Sequence, residues 1–192
     1  MNPIFQFPSY LLRRQAIALT GKFRFYDPAG RMIMFSEQKM FRLREDIRVY
    51  SDERKTQEVL SIKARQIIDF SAAYDVVDAE MNQKVGVLRR KGLRSILRDE
   101  WEVLDANDHM IGNLFEDSVG LAMLRRLLLG SWLPQNYDIT VGESRVADLK
   151  QRFNLYRYEM DLDFTMDAGR LLDRRLGIAA AILLAAVEGK EN

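Results

Sequence analysis

The residues best placed by type and spacing to do chemistry are cations. The stretch "LRRKGLRSILR" carries Arg89, Arg90, Lys91, Arg94 and Arg98 within ten positions. Guanidinium forks match phosphate oxygens in geometry, so the cluster suits an anionic headgroup. At the period of a strand, Arg89 and Lys91 share one face and Arg90 takes the other. The plainer role is a solvated surface paired with Asp99, Glu100 and Glu102. No aromatic side chains are interleaved with these cations, which weighs against stacking on single-stranded nucleic acid. Smaller basic pairs recur at Arg13/Arg14, Arg125/Arg126 and Arg174/Arg175. The last pair is expected to hold its segment at a boundary, with Asp173 as a partner.

The carboxylates Asp161, Asp163, Asp167 and Asp173 raise a calcium hypothesis. A calcium loop of the helix–loop–helix type needs oxygen ligands at its first, third and fifth positions, glycine at the sixth and glutamate at the twelfth. Counted from Asp161, the last three of those positions hold Thr165, Met166 and Leu172. The pattern fails, and Asp161 and Asp163 share a strand face, so polar exterior residues are expected. His109 is the single histidine and lies in "ANDHM", which reads as a solvated turn. Without cysteine there is no thiolate nucleophile, no disulfide framework and no cysteine zinc site. No G-x-S-x-G, phosphate loop or G-x-G-x-x-G occurs. The reading therefore assigns no catalytic residue, no metal ligand and no cofactor. A carboxylate pair converging from distant strands stays open.

The elements that must position these residues are hairpins. "RFYDPAGRMIMFSEQ" (24–38), "RVYSDERKTQEVLSIKA" (48–64), "DVVDAEMNQKVGVLRRK" (75–91) and "EVLDANDHMIGNLFED" (102–117) each read as strand, turn, strand. A looser fifth copy is "DITVGESRVADLKQRF" (138–153), with Gly142 at its turn. Asp27, Asp52, Asp78 and Asp105 open the first four turns at spacings of 25, 26 and 27 residues. An aspartate there bonds backbone amides two residues on, so turn chemistry accounts for all four. Phe23 and Phe25 alternate with Lys22, Arg24 and Tyr26; Trp101 and Val103 alternate with Glu100 and Glu102. Val85 and Val87 alternate with Lys84, Gly86 and Leu88. Linking strands near 10–14, 41–45, 93–97 and 156–163 bring the number to about twelve. A sheet of that size curls or closes, and closure removes its edges.

Two helices are expected. "DSVGLAMLRRLLLG" (117–130) has Asp117 or Ser118 as its N-cap and Gly130 as its stop, giving a short peripheral helix near 118–129. From Leu176 to Val187 no residue carries a charge or a hydrogen-bonding side chain. A helix apolar on every side is buried in protein or lipid. Twelve residues reach roughly 18 Å, short of a hydrocarbon core of about 30 Å. A closed barrel would surround such a helix, and its alanines and Gly177 would let the wall approach closely.

Composition fits this reading. The chain of 192 residues is 47% hydrophobic and 30% charged with a net charge of +1, so no global field argues for nucleic acid or an anionic membrane. No linker or low-complexity tract divides it, and one domain over 1–192 is expected, with its core at about 10–189. The opening "MNPIFQFPSYLLRRQ" is broken by Pro3 and Pro8 and places its arginines after the apolar part, so it reads as a lead-in to a first strand and not as a signal peptide. Asn2 and the lack of cysteine leave no lipidation motif.

The segments "YDVVDAEMNQKVGVLRRKGLRSILRDEWEVLDANDHMIGNLFED" (74–117) and "YEMDLDFTMDAGRLLDRRLGIAAAILLAAVE" (158–188) resemble the tubby C-terminal-like superfamily, which includes phospholipid scramblases and LURP-one-related proteins. The first is similar to the family's repeated strand–Asp–turn–strand with its "WEV" strand. The second is similar to the scramblase "LDLD" strand leading into a terminal apolar helix. The likeness spans 10–189 and implies a twelve-stranded barrel closed around that helix. Tubby domains bind phosphoinositide headgroups through basic residues; scramblases are associated with calcium-dependent lipid movement and with nucleic acid. The chain departs from eukaryotic scramblases in having neither their cysteine-rich segment nor their long proline-rich N-terminal region.

The expectation is a mainly β (α+β) fold: an antiparallel closed barrel of about twelve strands in sequential hairpins around a buried apolar C-terminal helix. The expected activity is non-enzymatic binding of anionic phospholipid headgroups by Arg89, Arg90, Lys91, Arg94 and Arg98. The expected place is the cytoplasm, peripheral at the inner membrane face, with no transmembrane span and no nucleic acid. The alternatives are a protein-interaction or scaffolding domain, self-associating or with another partner, and a phospholipid scramblase proper.

Overall fold

A computed structural model describes residues 2–15, 20–39, 46–65, 72–91, 100–116, 135–154 and 157–188. Twelve strands run in chain order: β1 (Ser9–Gln15), β2 (Thr20–Tyr26), β3 (Met32–Lys39), β4 (Ile47–Tyr50), β5 (Glu58–Ala64), β6 (Ala73–Asp78), β7 (Gln83–Arg90), β8 (Glu100–Leu104), β9 (Met110–Glu116), β10 (Asn136–Val141), β11 (Ser144–Arg152) and β12 (Arg157–Asp163). Each pairs antiparallel with its sequence neighbours, and β1 pairs with β12, from Ser9 opposite Asp163 to Gln15 opposite Arg157. The sheet is a closed barrel, so no edge is left unpaired. The links expected at 41–45 and 93–97, and the helix expected near 118–129, lie outside the described residues.

Five of the strand pairs are the hairpins read from the sequence, and each carries one register shift on the turn side of the pair. The shifts fall at Phe25/Tyr26, Val49/Tyr50, Val76/Val77, Val103/Leu104 and Ile139/Thr140. A bulge adds a residue to one strand and increases local twist. Repeated in all five hairpins, it gives the sheet the coiling that closure requires.

The helix α1 (Arg174–Glu188) occupies the interior. Leu176 and every residue from Ile178 to Ala185 are buried, at no more than 3% exposure, on all faces of the helix. The inward layer around it comes from alternate strand residues, among them Leu12, Phe23, Phe25, Val49, Leu60, Ile62, Val76, Leu114, Ile139, Leu149, Met160 and Leu162. Each buried branched side chain contributes about 1.5–3 kcal/mol, which explains why a helix without a polar face is stable here. No helix of the described residues is long and apolar enough to cross a membrane.

One phase differs from the sequence pattern. On β7 the residues facing α1 are Gly86 and Leu88, because a Cβ at Gly86 would lie 3.1 Å from the Leu176 side chain and Leu88 belongs to the central cluster. Val87 is buried outside that cluster, opposite Leu104. Val85 is the extra residue of the third bulge, since Val76 pairs with Gly86 and Val77 with Lys84. The bulge breaks the alternation that the sequence pattern continues through Val85 and Val87.

Candidate functional site

Because sequential antiparallel strands reverse at every step, the connections alternate between two ends of the barrel. One end holds the five tight turns and the start of α1. The other holds the strand-to-strand links and the end of α1.

At the turn end the aspartates act as the sequence suggests. Asp27 Oδ1 accepts from the Arg31 N–H at 2.9 Å. Asp52 accepts from the Thr56 hydroxyl, and Asp78 Oδ1 from the Met81 N–H at 2.9 Å. Asp105 Oδ1 accepts from Asn107 and His109 N–H groups at 2.8 and 2.9 Å. Those amides, His109 first, hold the Asp105 carboxyl below its ordinary range. Asp78 has a second use: buried at 1% exposure, it receives Arg175 Nη1 at 2.5 Å.

The acidic run before α1 is divided among protein partners. Asp161 pairs bidentately with Arg152 at 2.6 and 2.7 Å, and Asp163 accepts from the Thr165 N–H at 2.8 Å. Asp167 is buried, unlike the exterior residue its neighbours suggest, and accepts from Leu171 N–H, Leu172 N–H and Arg174 Nη1. Asp173 caps α1 by accepting from the Arg175 N–H at 3.0 Å, and it pairs with the same guanidinium at 2.5 Å. Arg174 and Arg175 thus anchor the start of the helix in the barrel mouth, the boundary position their sequence context suggests. Arg174 also lies 4.7 Å above the Phe164 ring.

The described part of the basic cluster, Arg89 to Lys91, lies at the other end. Arg89 stands opposite Glu102 and Arg90 opposite Trp101 across β8. Arg89 contacts Glu102 at 2.6 and 2.5 Å, and Lys91 contacts Glu100 at 2.5 Å. The two outward cations are therefore balanced by cross-strand carboxylates. Arg90 points to the inner face near Tyr74 and Trp101, whose rings lie 6.0 Å apart. Burial raises the Tyr74 hydroxyl pKa, and the Arg90 charge opposes that rise. Arg94 and Arg98, like Arg125 and Arg126, lie outside the described residues.

Sequence reasoning missed the role of Arg14. It continues the inward face of Tyr10 and Leu12, is 7% exposed, and donates to the Ala185 carbonyl of the last turn of α1. It lies 5.1 Å from the centre of the Tyr158 ring. A cation there satisfies an orphan carbonyl and opposes the negative end of the helix dipole. The alternation Tyr10, Leu12, Arg14 was the available signal.

Two concavities are lined wholly by described residues. A cleft of about 580 Å³ crosses the outside of β1, β2, β11 and β12. Its cations are already engaged: Arg13 with Glu159, Lys150 with Asp148, and Arg152 with Asp161. A groove of about 470 Å³ lies at the turn end, between the lead-in Phe5–Pro8 and the segment from Phe164 to Arg174.

A sequence profile of LURP-one-related proteins matches residues 32–185, from β3 into α1. A crystal structure of a protein from Arabidopsis thaliana is similar to this chain with a TM-score of 0.54 and 12% identity, covering 97% of this chain and 96% of that one. At that identity the likeness is one of fold. No curated protein matches this chain.

Proposed function

The chain belongs to the LURP-one-related family, and from that premise we propose that residues 1–192 form one non-enzymatic binding domain that docks peripherally on an anionic membrane surface. The place is the cytoplasmic face, and the ligand is the phospholipid headgroup. The observation that carries this is the difference between the two barrel ends. The turns of one end read "DPAGR", "SDERKTQ", "AEMN" and "DANDH". The links that leave the other end carry, in sequence, Phe41, Arg42, Leu43 and Arg44; Leu93, Arg94, Ile96, Leu97 and Arg98; and Leu124, Arg125, Arg126, Leu127 and Trp132. Apolar side chains interleaved with arginine suit the boundary between headgroups and acyl chains. Arg89, Arg90 and Lys91 leave β7 at that same end.

The test is flotation with anionic and neutral vesicles at low and high salt. The expected result is binding to anionic vesicles that salt removes and that Arg94→Glu with Arg98→Glu weakens. Glu100→Gln with Glu102→Gln, which frees Lys91 and Arg89, is expected to strengthen it. Absence of binding in every condition sinks the proposal. One observation favours a protein-interaction domain as the second reading: Arg89 of β7 and Lys91 just after it are already paired with Glu102 and Glu100, so their charge is partly neutralised before any anion arrives. A defined oligomer or a co-purifying partner, with no vesicle binding, would establish it.

A further inference from the structure

We propose that the groove at the turn end of the barrel binds a free amphiphile with an anionic head and an unbranched apolar chain, a medium-chain carboxylate being the simplest. Three observations converge. The first is the lining. Phe5, Phe164 and Leu172 form a buried apolar floor, at no more than 2% exposure, and Leu171 stands beside it 53% exposed. The volume of about 470 Å³ falls within the range of about 300–1,000 Å³ usual for small-ligand sites.

The second is the charge left unused. Both carboxylates of the groove are spent, Asp167 on Arg174 and Asp173 on Arg175. Arg174 is spent in turn on Asp167. Arg170 lines the same groove, and its guanidinium has no hydrogen-bond or ion-pair partner among the described residues. The groove thus offers one open cation and no open anion, which selects an anionic head over a neutral or cationic one.

The third is the backbone that presents Arg170. Its φ is +51°, in the left-handed region. Of the four non-glycine residues with positive φ among those described, Asn82 and Asp108 are of the types that adopt it readily. Lys55 is tied to Glu37 at 2.8 Å. Arg170, like Lys55 and Asp108, takes the fourth place of a turn opened by an aspartate, its N–H donating to the Asp167 carbonyl at 3.1 Å. Asp167 fixes that turn, and so the place from which Arg170 projects, by accepting with its carboxylate from the Leu171 and Leu172 amides that follow the bend. The floor takes the chain and Arg170 takes the head.

The groove opens at the end opposite Arg89–Lys91, so this proposal and the membrane proposal fail separately. The probe is decanoate, titrated calorimetrically into the full chain, with decanol, decyltrimethylammonium and acetate as comparators. Decanoate is expected to saturate at one site, about tenfold or more tighter than decanol, which is what a charge-assisted hydrogen bond supplies. Acetate is expected not to saturate. Arg170→Gln should bring decanoate to the level of decanol and leave decanol unchanged, while Leu171→Ser should weaken both. Arg170→Gly, which relaxes the backbone, should lose decanoate binding while the melting temperature holds or rises, separating lost binding from lost folding. Equal affinity for the three decyl compounds, undiminished binding by Arg170→Gln, or no saturable binding would each overturn the proposal. Anionic vesicles are expected to leave the decanoate titration unchanged. Their abolishing it would give the groove to a bilayer acyl chain and overturn the free ligand.

Discussion

At Gly177 the absence of a side chain determines whether α1 can sit against its wall. A Cβ there would lie 2.5 Å from Cε1 and Cζ of Phe164. In an exposed helix interior, glycine to alanine gains about 0.5–1 kcal/mol. Here the sign reverses, because Phe164 is held by Arg174 over its ring and by Tyr10 at 6.0 Å edge-on. Gly177→Ala is expected to lower stability by about 1–3 kcal/mol in urea denaturation. A gain would mean that the Phe164 ring yields. This residue was legible as a small one that admits close approach, but its partner was not. Arg170 shows the same limit more sharply: the groove joins residues 5–8 to 164–174, and nothing local in either segment marks the other.

The hairpin is the element in which sequence and structure agree best, and its turns account for part of the acid sensitivity expected of the fold. Asp27, Asp52 and Asp105 are all held below the ordinary carboxylate range, Asp52 chiefly by the Thr56 hydroxyl and Asp105 chiefly by the His109 amide. At Asp27 burial works the other way, but the Arg31 amide and guanidinium outweigh it. Since their folded values lie below the unfolded one, their contribution is complete above about pH 4 and is lost as pH falls through the folded values. The triple change of these aspartates to asparagine is therefore expected to flatten the decline of melting temperature below about pH 4. An acid limb of unchanged slope would remove the turns from the account. An aspartate at four of the five tips, Gly142 at the fifth, and alternation along the arms made the hairpins readable. The bulges were not readable, because an inserted residue such as Val85 carries no distinctive type, and one such residue shifts the apparent phase of everything beyond it.

At the scale of the whole molecule, the barrel and its contents have one apolar interior in common. The wall has no separate core, and α1 has no polar face with which to survive outside it. Urea unfolding followed by far-ultraviolet circular dichroism and by Trp101 environment is expected to give coincident transitions. Separate midpoints would mean that the sheet persists without its helix. The closed barrel was legible in the number of strands and in a helix with no face for water. The use of its ends was legible only in part. The cations at 89–91 and their pairing with Glu100 and Glu102 could be read, whereas which cation meets which carboxylate depends on the register of β7 against β8.

The segment that becomes the centre of the barrel follows all twelve strands in the chain. During synthesis the ribosome therefore releases the whole wall before the object it must enclose. β1 cannot find its final neighbour until β12 appears, because Ser9 pairs with Asp163, and both must then wait for residues 174–188. Such distant pairings form slowly and leave apolar surface bare in the meantime. The nascent chain would need chaperone shelter most between the emergence of β12 and that of residues 174–188. A message cut short anywhere before residue 174 would yield a coreless sheet for the proteases.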